Sequence, residues 1–392
     1  MSHAPNSDTF GSFDPRSVPS PCFVVDEVAV ERNLRILKRV QDESGAKVLL
    51  ALKAFSMFSL APLIMRYLRG TCASGLWEAR LGKEEFGGEV HVYSAGYTQA
   101  DLANILDIAD HVVFNSLSQW QRFQPLVQDK GQARPQLDFG LRINPLHSEG
   151  AVALYDPCAP GSRLGTPVTQ LAGADLAGFS GLHFHTLCEQ NFAPLARTLD
   201  AVEKSCGELL HRMQWVNFGG GHHISHPDYD VDGLIARIRE FSRKYGVQVY
   251  LEPGEAIAIR SGVLVSEVLD TMQNESPVAI LDTSATCHMP DTLEMPYRAH
   301  IFGSGQPGEL PHTYRLGGMS CLAGDVMGDY SFEQPLQVGQ RLVFDDMAHY
   351  TMVKTTTFNG VKLPALALWN SQAGTVRVVK RFAYEDFRNR LS

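Results

Sequence analysis

The first three-fifths of the chain alternate stretches of helical periodicity with short apolar runs. Val30, Leu34 and Leu37 have helical spacing, and the continuous apolar run 48–52 follows them. Helical stretches at 195–213 and 231–245 separate the later runs. Short continuous apolar runs are typical of strands buried on both faces of a parallel sheet. We predict such strands at 48–52, 71–74, 90–93, 111–115, 137–143, 181–186, 215–218 and 247–251.

Eight buried strands separated by helices predict the α/β fold class. Eight repeats over about 220 residues fit a closed (β/α)8 barrel of the TIM type, which typically takes about 250 residues. A doubly wound open sheet is the competing fold, because the number of strands does not by itself distinguish the two. The barrel is our prediction.

The pattern changes after about residue 260, where β-type runs at 278–281, 297–301, 341–344 and 350–357 stand among Gly and Pro turns. These runs predict a second, mainly β domain. We place an N-terminal extension, with a strand that joins the β domain, at 1–26, the barrel at 27–262 and the β domain at 263–392. The first 20 residues are polar and rich in Pro, Ser and Gly, which predicts a loosely ordered segment and no secretory signal.

Composition narrows the classes of function. The 392 residues carry 34 Lys and Arg against 43 Asp and Glu, a net charge of -9 that argues against nucleic-acid binding and is compatible with a small cationic ligand. No apolar stretch approaches 18 residues, so we expect no membrane span. Seven cysteines without a C-x-x-C pair predict reduced thiols and a cytoplasmic protein. The 14 histidines show no metal-binding spacing, so we predict no metal site.

Polar residues and glycines recur where the predicted strands end. Barrel enzymes carry their active sites at the carboxyl ends of the strands, so residues at these ends are expected to converge on one rim. The positions are Lys53, Ser74, Arg142, His185, Gly219, Gly220, Gly221 and Glu252.

Two of these features suit a phosphorylated aldehyde cofactor. Lys53 directly follows a buried run, and desolvation favours the neutral amine that Schiff-base chemistry needs. The alternative for Lys53 is a strand-end lysine whose ammonium group simply reaches solvent. The triplet Gly219, Gly220 and Gly221 allows backbone N–H groups to approach a phosphate, and its alternative is a tight turn.

Two further residues suit the ring of such a cofactor. Glu252 could bind and protonate a pyridine nitrogen, as pyridoxal phosphate requires, although an ordinary surface carboxylate is the alternative. His185 could stack on the ring, although strand-end histidines often have structural roles. Each feature is weak alone. Together they predict a site for pyridoxal 5'-phosphate at one rim of the barrel.

Nine segments carry a resemblance to a known family. They are ALKA (51–54), CASGLWE (72–78), HFHTLCE (183–189), NFGGG (217–221), LEPGE (251–255), HMPD (288–291), LEMPY (293–297), CLAGD (321–325) and HYTMVK (349–354). In number and order they resemble the alanine-racemase-like, fold type III pyridoxal-phosphate decarboxylases. That family has a (β/α)8 barrel followed by a β domain, and the similarity covers nearly the whole chain after about Pro21.

The resemblance implies roles for the rim residues. Lys53 would bond covalently to the cofactor, and His185 would stack on its ring. Glu252 would pair with the ring nitrogen, with Arg142 near the ring. The triplet 219–221 would hold the phosphate, and Ser74 would complete the cofactor-binding set.

The resemblance also implies roles for two residues of the β domain. Tyr350 matches a tyrosine that reaches the phosphate. Cys321 matches a cysteine that a partner subunit contributes to protonate the product carbon, so the chain is expected to form a homodimer with shared sites. A buried core thiol is the alternative for Cys321.

Two positions depart from the family pattern. Related ornithine and diaminopimelate decarboxylases carry Arg where this chain has Glu255, and a carboxylate favours a cation instead of an anion. Cys188 replaces a small polar or Gly-rich stretch that aids phosphate binding, which removes one expected phosphate donor. We expect Glu255, Asp291, Glu294 and Asp325 to bind a cationic substrate, with solvated surface charges as the alternative for the last three.

The segments are most similar to those of decarboxylases that act on carboxynorspermidine and carboxyspermidine in polyamine biosynthesis. The implied catalytic residues are Lys53, Cys321, His185 and Glu252, with Cys321 or Lys53 as the proton donor. The alternatives are a diaminopimelate or other basic amino-acid decarboxylase and a non-catalytic cofactor-binding homologue. An amino-acid racemase would pair the ring nitrogen with Arg, where this chain has Glu252.

Overall fold

The structure, a computed structural model, describes residues 7–150 and 152–392. The chain divides into two compact units. The first is Asn33–Ile257, and the second combines the described residues up to Arg32 with Ala258–Ser392. Within the described residues, no helix is long and apolar enough to cross a bilayer.

The helices and strands are numbered here along the chain. The helices are α1 (Ser7–Phe10), α2 (Glu27–Ser44), α3 (Ala61–Ile64), α4 (Leu76–Leu81), α5 (Gln99–Ile108), α6 (Leu117–Ala133), α7 (Phe192–Leu210), α8 (Val231–Tyr245), α9 (Glu255–Ala258), α10 (Ala285–His288), α11 (Asp291–Glu294) and α12 (Tyr384–Arg388). The strands of the first unit are β2 (Lys47–Ala51), β3 (Gly70–Ala73), β4 (Glu89–Tyr93), β5 (His111–Phe114), β6 (Asp138–Asn144), β7 (Thr166–Pro167), β8 (Gly181–His183), β9 (Trp215–Asn217) and β10 (Gln248–Leu251). Those of the second are β1 (Cys22–Asp26), β11 (Gly262–Asn274), β12 (Ser276–Leu281), β13 (Ser304–Gly305), β14 (His312–Gly317), β15 (Val326–Phe332), β16 (Arg341–Asp345), β17 (Ala365–Asn370) and β18 (Thr375–Lys380).

The first unit is a closed barrel of parallel strands. The order around it is β2, β3, β4, β5, β6, β8, β9 and β10, and β10 pairs with β2. The pairing of β5 with β6 completes the ring, with His111 opposite Asp138. The short β7 extends β6. The predicted barrel is confirmed, and each predicted strand overlaps one of these eight.

The barrel interior is filled by side chains from alternate positions of the strands. Trp215, Leu49, Val113 and Tyr250 form a buried cluster there. Gly140 and Gly181 face the indole of Trp215 so closely that a Cβ atom at either position would overlap it. The two glycines therefore make room for one large aromatic residue in the barrel centre.

Helix α8 shows how local sequence sets an element of the outer layer. The Asp230 carboxylate accepts the Gly233 N–H at its start, and Gly246 ends it in the left-handed conformation with φ 71°. These are the usual signals for the first and last turns of a helix. The predicted span 231–245 is confirmed. Its buried face consists of Leu234, Ile235, Ile238, Phe241 and Tyr245.

The second unit is built on a mixed β-sheet. Its strand order is β13, β15, β14, β12, β11, β1, β17 and β18, and β16 also pairs with β11. Strand β1 lies antiparallel to β11 and parallel to β17, so that Cys22 is opposite both Val265 and Ala365. The predicted mainly β second domain is confirmed.

Three local predictions for this unit are wrong. Segment 297–301 is irregular, and 350–357 contains the 3-10 helix Met352–Lys354 where strands were expected. Tyr350 has φ 48°, which is incompatible with an extended strand. The N-terminal segment is not loose over its described part, because Phe10, Phe13 and Val18 pack into a buried cluster with β1. Residues 1–6 lie outside the described residues.

His288 of this unit gives a pH-dependent prediction. It is fully buried, its Nδ1 accepts the Ser284 N–H at 3.2 Å, and its Nε2 lies 3.0 Å from the Lys362 carbonyl oxygen. Burial lowers its pKa from 6.5 to about 4. Between these values the unfolded chain binds a proton that the folded chain does not, so stability falls as the pH falls. We expect His288 to account for a loss of about 2 kcal/mol between pH 7 and pH 5.

Urea unfolding at both pH values should therefore show a smaller pH-dependent loss in the full-length variant His288→Gln. The exposed His211 provides the matched substitution His211→Gln, which should follow the wild type. Equal losses in all three proteins would contradict the assignment.

Candidate active site

The predicted rim residues all lie at the carboxyl ends of the barrel strands. The carboxyl ends of all the parallel strands lie at the same rim, so residues from distant parts of the chain come together there. Ser74 and Glu252 directly follow β3 and β10, Arg142 lies in the second half of β6, and Lys53, His185 and Gly219 stand two residues beyond β2, β8 and β9.

Glu252 is held by one side chain from β8 and one from β9. Its Oε1 accepts a hydrogen bond from Asn217 Nδ2 at 2.7 Å, and its Oε2 lies 3.1 Å from His183 Nε2. Burial alone would raise the pKa of Glu252, but the contacts with His183 and Asn217 outweigh it and lower the pKa to about 2. Glu252 is therefore an ionised hydrogen-bond acceptor at neutral pH.

His185 is fixed against the glycine turn that follows β9. Its Nδ1 lies 3.2 Å from the Gly220 nitrogen and 3.0 Å from the Gly220 carbonyl oxygen. Burial lowers the pKa of His185 well below 6.5, and the positive charges of Lys53 and Arg142 act in the same direction. The imidazole is therefore neutral at physiological pH.

Glycine is required at all three positions of the 219–221 turn. Gly219 and Gly221 have φ values of 71° and 80°, a region that other residues rarely adopt. A Cβ atom on any of the three would overlap a backbone carbonyl oxygen, that of Phe184, Glu252 or Leu187. The Gly219 N–H donates to Asn217 Oδ1 at 2.8 Å. The turn is therefore packed closely against the ends of β8 and β10.

Arg142 joins the rim through an aromatic contact. Its guanidinium lies 4.4 Å from the ring centre of Tyr93, and its NH2 group donates to the His185 carbonyl oxygen at 3.3 Å. The Tyr93 ring is also nearly parallel to that of His183, at 5.5 Å between ring centres. Arg142 and His183 are both buried, so Tyr93 connects a buried cation to the histidine that contacts Glu252.

Lys53 and Ser74 are the exposed members of the rim. The charge of Lys53 acts on the pKa values of His183, His185 and Cys188, which shows that its ammonium group reaches their neighbourhood. The Ser74 N–H donates to the Glu78 carboxylate at 2.6 Å. Lys53 is therefore exposed beside the buried His183 and the half-buried His185, and the desolvation expected from its position after a buried run is not found.

Glu255 lies at the start of α9, beyond Glu252. Its carboxylate is 3.2 Å from His223 Nε2, and its side chain is 12% exposed. Burial raises the pKa of the neighbouring Cys188 thiol to about 11, and the negative charges of Glu189 and Glu255 add to the effect. Cys188 is therefore a neutral thiol, with the carboxylates of Glu189 and Glu255 near it.

In the second unit, Cys321 and Asp325 share one loop between β14 and β15. Cys321 is exposed, and its N–H donates to Asn359 Oδ1 at 2.9 Å, so the predicted alternative of a buried core thiol is wrong. Asp325 is 3% exposed and accepts hydrogen bonds from Ser284, Thr286 and Ser320. These contacts make Asp325 the anchor of the loop that presents Cys321.

The other predicted residues of this unit lie along 291–354. Asp291 accepts hydrogen bonds from Tyr297 at 2.8 Å and Thr351 at 2.9 Å. Glu294 forms an ion pair of 2.7 Å with Lys354, whose ammonium lies 5.9 Å from the ring centre of Tyr350. Asp291 and Glu294 are thus both bound to the segment that carries Tyr350.

One group at the other end of the barrel resembles a metal site in composition. Ligand atoms of Glu89, His91 and His111 lie within 4.8 Å of one another. Lys47, however, forms an ion pair of 2.6 Å with Glu89, and the two imidazoles are stacked at 3.9 Å with an angle of 12°. Parallel stacked rings cannot both direct an in-plane nitrogen lone pair at one ion. Lys47 instead neutralises the charge of Glu89, and the two imidazole rings fill this end of the barrel.

Comparison with known proteins identifies the family of this arrangement. A family model described as pyridoxal-dependent decarboxylase, C-terminal sheet domain, matches residues 22–348. The chain belongs to the pyridoxal-dependent decarboxylase family. This membership makes the protein a decarboxylase and confirms the family predicted from the nine sequence segments.

The decarboxylase has close relatives over nearly its whole length. It is 48% identical over 377 residues to a carboxyaminopropylagmatine decarboxylase from Synechocystis sp., with 96% of each chain covered. It is 41% identical over 381 residues to a carboxynorspermidine/carboxyspermidine decarboxylase from Campylobacter jejuni, with 94% of this chain and 98% of the relative covered. A crystal structure of carboxynorspermidine decarboxylase from the same species, complexed with norspermidine, is similar with a TM-score of 0.87 at 40% identity and covers 95% of this chain and 100% of that chain.

The rim fits the cofactor that the family name implies. Lys53 supplies an exposed amine, Glu252 an ionised acceptor, and the turn 219–221 a backbone without side chains. The N–H groups of Gly219 and Gly220 in this turn contact Asn217 and His185. The buried Arg142 Nε has no hydrogen-bond partner in the described part of the chain, so the rim retains donor capacity. These groups match an aldehyde, a ring nitrogen and a phosphate, respectively, with Arg142 beside them.

Sequence reasoning missed three residues that shape this rim. His183, Asn217 and Tyr93 contact the predicted residues but lie within strands instead of beyond them. A signal was present, because residues two apart on a strand face the same side. His183 precedes His185 by two positions, and Asn217 precedes Gly219 by two. The two members of each pair were therefore expected to face the same side of the strand, toward the barrel interior.

Proposed function

We propose that this decarboxylase acts on α-amino acids in which a 3-amino-3-carboxypropyl group is attached to a polyamine nitrogen, with carboxynorspermidine and carboxyspermidine as its substrates. The products are then norspermidine or spermidine and carbon dioxide. The similarity to the Campylobacter jejuni structure with norspermidine carries this proposal, since it extends over the whole of that chain. Diaminopimelate decarboxylase is not favoured, because relatives of that name are only 23% and 24% identical.

Pyridoxal phosphate would be held by residues at both ends of the cofactor. Lys53 would bond to its aldehyde, Glu252 to the ring nitrogen, and His185 would stack on the ring beside Arg142. The backbone of 219–221, with Ser74 and Tyr350, would bind the phosphate. When bound, the cofactor withdraws the electron pair that remains after carbon dioxide leaves.

The residues of the chain then have separate tasks. Glu252 would keep a proton on the ring nitrogen, because its own pKa of about 2 leaves it ionised. Lys53 would hold the cofactor by its aldehyde. Cys321 or Lys53 donates the proton that replaces the carboxyl group on the product carbon.

Acidic residues would bind the cationic part of the substrate. Glu255 has the strongest support, because its carboxylate lies on the barrel rim, where it is 3.2 Å from His223 Nε2. We also assign Asp291, Glu294 and Asp325 to this role, although each already accepts hydrogen bonds or pairs with a cation within the second unit. Asp325 would act on the substrate indirectly, by holding the loop that carries Cys321.

We further propose a homodimer in which the second unit of one copy supplies Cys321 and Tyr350 to the barrel rim of the other. The exposure of Cys321 supports this arrangement, because a proton donor must be accessible to a substrate. A cytoplasmic location is supported by seven free cysteines, which persist as thiols in a reducing compartment.

A second candidate substrate is carboxyaminopropylagmatine. The Synechocystis relative of that name is 48% identical to this chain, against 41% for the Campylobacter relative. The two substrate types share the reacting amino-acid group and differ at the far end, where one has a primary amine and the other a guanidinium group. A planar guanidinium donates two parallel hydrogen bonds to a carboxylate, whereas an ammonium group acts as a point charge.

Carbon dioxide release from four compounds tests the proposal. We expect kcat/KM for carboxynorspermidine or carboxyspermidine to exceed that for diaminopimelate by about 10³-fold, since the site is built for a second cation instead of a second carboxylate. Carboxyaminopropylagmatine is the fourth compound, and a preference for it would support the second candidate. Preference for diaminopimelate would contradict both.

A further inference from the structure

The carboxylate of Glu252 is embedded in a buried polar cluster that the proposed reaction does not explain. Both of its oxygens are engaged inside the barrel, one by Asn217 and one by His183. Asn217 and His183 are 0% and 1% exposed, so no water competes for these contacts. Neither residue belongs to the sites predicted from sequence.

We propose that His183 and Asn217 are positioning residues that keep Glu252 as a carboxylate. They thereby keep the proton shared between Glu252 and the ring nitrogen of the cofactor on that nitrogen. This inference rests on the proposed binding of pyridoxal phosphate at the barrel rim. It concerns the chain's own groups, which the structure describes.

The tautomer of His183 follows from its contacts. Glu252 is acceptor-only when ionised, so Nε2 must carry the proton that lies between them. Nδ1 is buried without a hydrogen-bond partner in the described residues, which leaves it as the unprotonated nitrogen. Burial lowers the pKa of His183, and the nearby Arg142 and Lys53 oppose a second proton. His183 is thus a neutral imidazole that donates one hydrogen bond to Glu252.

The orientation of Asn217 is fixed from both sides. Its Nδ2 donates to Glu252 Oε1, and its Oδ1 accepts the Gly219 N–H at 2.8 Å. A flipped amide would face an acceptor with its oxygen and a donor with its NH2 group. The Glu252 N–H also donates to the Gly219 carbonyl oxygen at 2.8 Å. One side chain therefore positions both the ring-nitrogen acceptor and the start of the glycine turn.

Other titratable groups also face Glu252. Cys72, His91, His111 and Arg142, from four different strands, interact with it electrostatically. Of these, Cys72 also makes a side-chain hydrogen-bond contact with Glu252. His183 and Asn217 are the groups that contact its two carboxylate oxygens, at 3.1 Å and 2.7 Å. Loss of one hydrogen bond to a charged group corresponds to about a 10- to 100-fold change in a protonation equilibrium.

The variants His183→Phe and His183→Gln separate hydrogen bonding from packing. Phenylalanine keeps an aromatic ring against Tyr93 without a donor, and glutamine restores an N–H group. In the full-length chain loaded with pyridoxal phosphate labelled with 15N in the ring, solid-state NMR reports the protonation of that nitrogen. We expect the protonated-to-unprotonated ratio to fall at least tenfold in His183→Phe and to recover in His183→Gln. An unchanged ratio in His183→Phe, or equal effects of both substitutions, would overturn the proposal.

A measurement without cofactor separates this inference from the proposed function. The infrared band of protonated Glu252, identified by its absence in Glu252→Gln, gives the pH midpoint of that carboxyl in the full-length chain. We expect the midpoint to rise by at least one pH unit in His183→Phe and, independently, in Asn217→Leu. The matched control Asn104→Leu, on the exposed face of α5, should leave it unchanged. Failure of the chain to bind pyridoxal phosphate would refute the proposed function alone, whereas an unchanged midpoint in both variants would refute this inference alone.

Discussion

The variant Lys53→Ala is expected to lose the visible absorption band of bound pyridoxal phosphate and to decarboxylate at least about 10³-fold more slowly than the wild type. Lys53 is the exposed amine of the rim, and its charge acts on His183 and His185. Alanine removes both the covalent attachment and a candidate proton donor. Absorption spectra after incubation with the cofactor and a carbon dioxide release assay check the two effects separately.

The exposed Lys83 provides a matched control for this substitution. Lys83→Ala removes the same charge and side chain from the π-helical turn Gly82–Phe86, and it should keep both the band and the activity. An intact visible band in Lys53→Ala would show that another amine holds the cofactor. Loss of the band in both variants would point to a general effect of charge or folding.

The barrel was predictable because its strands are buried on both faces. A parallel strand covered by helices is apolar at nearly every position, as in β2, where 48–51 are all buried. Local signals also fixed the helices between the strands, as Asp230 and Gly246 did for α8. Closure of the sheet was not visible in any one segment, since it depends on the pairing of β5 with β6 and of β10 with β2.

The sheet of the second unit was much less predictable. Strand β11 changes character along its length, with its first residues buried and its last six exposed, so no single periodicity describes it. Strand β1 pairs with β17, more than 300 residues later, and nothing local in either sequence specifies that partner. Antiparallel strands with one solvated face depend on such distant pairing, which propensity alone does not determine.

The residues of the candidate site also differ in how far the sequence predicts them. Residues that end a strand, such as Lys53 and Glu252, are recognisable because a polar side chain directly after a buried run is unusual. Their supporting partners His183 and Asn217 were hidden within the strands, and the pairing of β8 with β9 and of β9 with β10 brings them to Glu252. Sequence therefore predicted candidates for the reacting groups, and the fold was needed to show what sets the charge of Glu252.

Mixed dimers give the second large expected effect, because they test whether one site uses residues of two chains. Cys321→Ala is expected to lower activity by about 10²-fold if the thiol donates the product proton. A dimer of one Lys53→Ala chain and one Cys321→Ala chain, isolated with two affinity tags, would contain one site with both substitutions and one with neither. Such dimers should show about half of the wild-type activity per dimer.

The reciprocal dimer predicts the opposite result. When a chain carrying both substitutions pairs with a wild-type chain, each shared site receives one substitution, so the dimer should be nearly inactive. If each site were built from one chain, this dimer would instead keep half of the activity, and the first mixed dimer would keep almost none. The two dimers contain the same four side chains at positions 53 and 321, so a difference in activity between them depends only on which chain carries each residue. That difference locates Cys321 relative to Lys53 without any assumption about how the thiol acts.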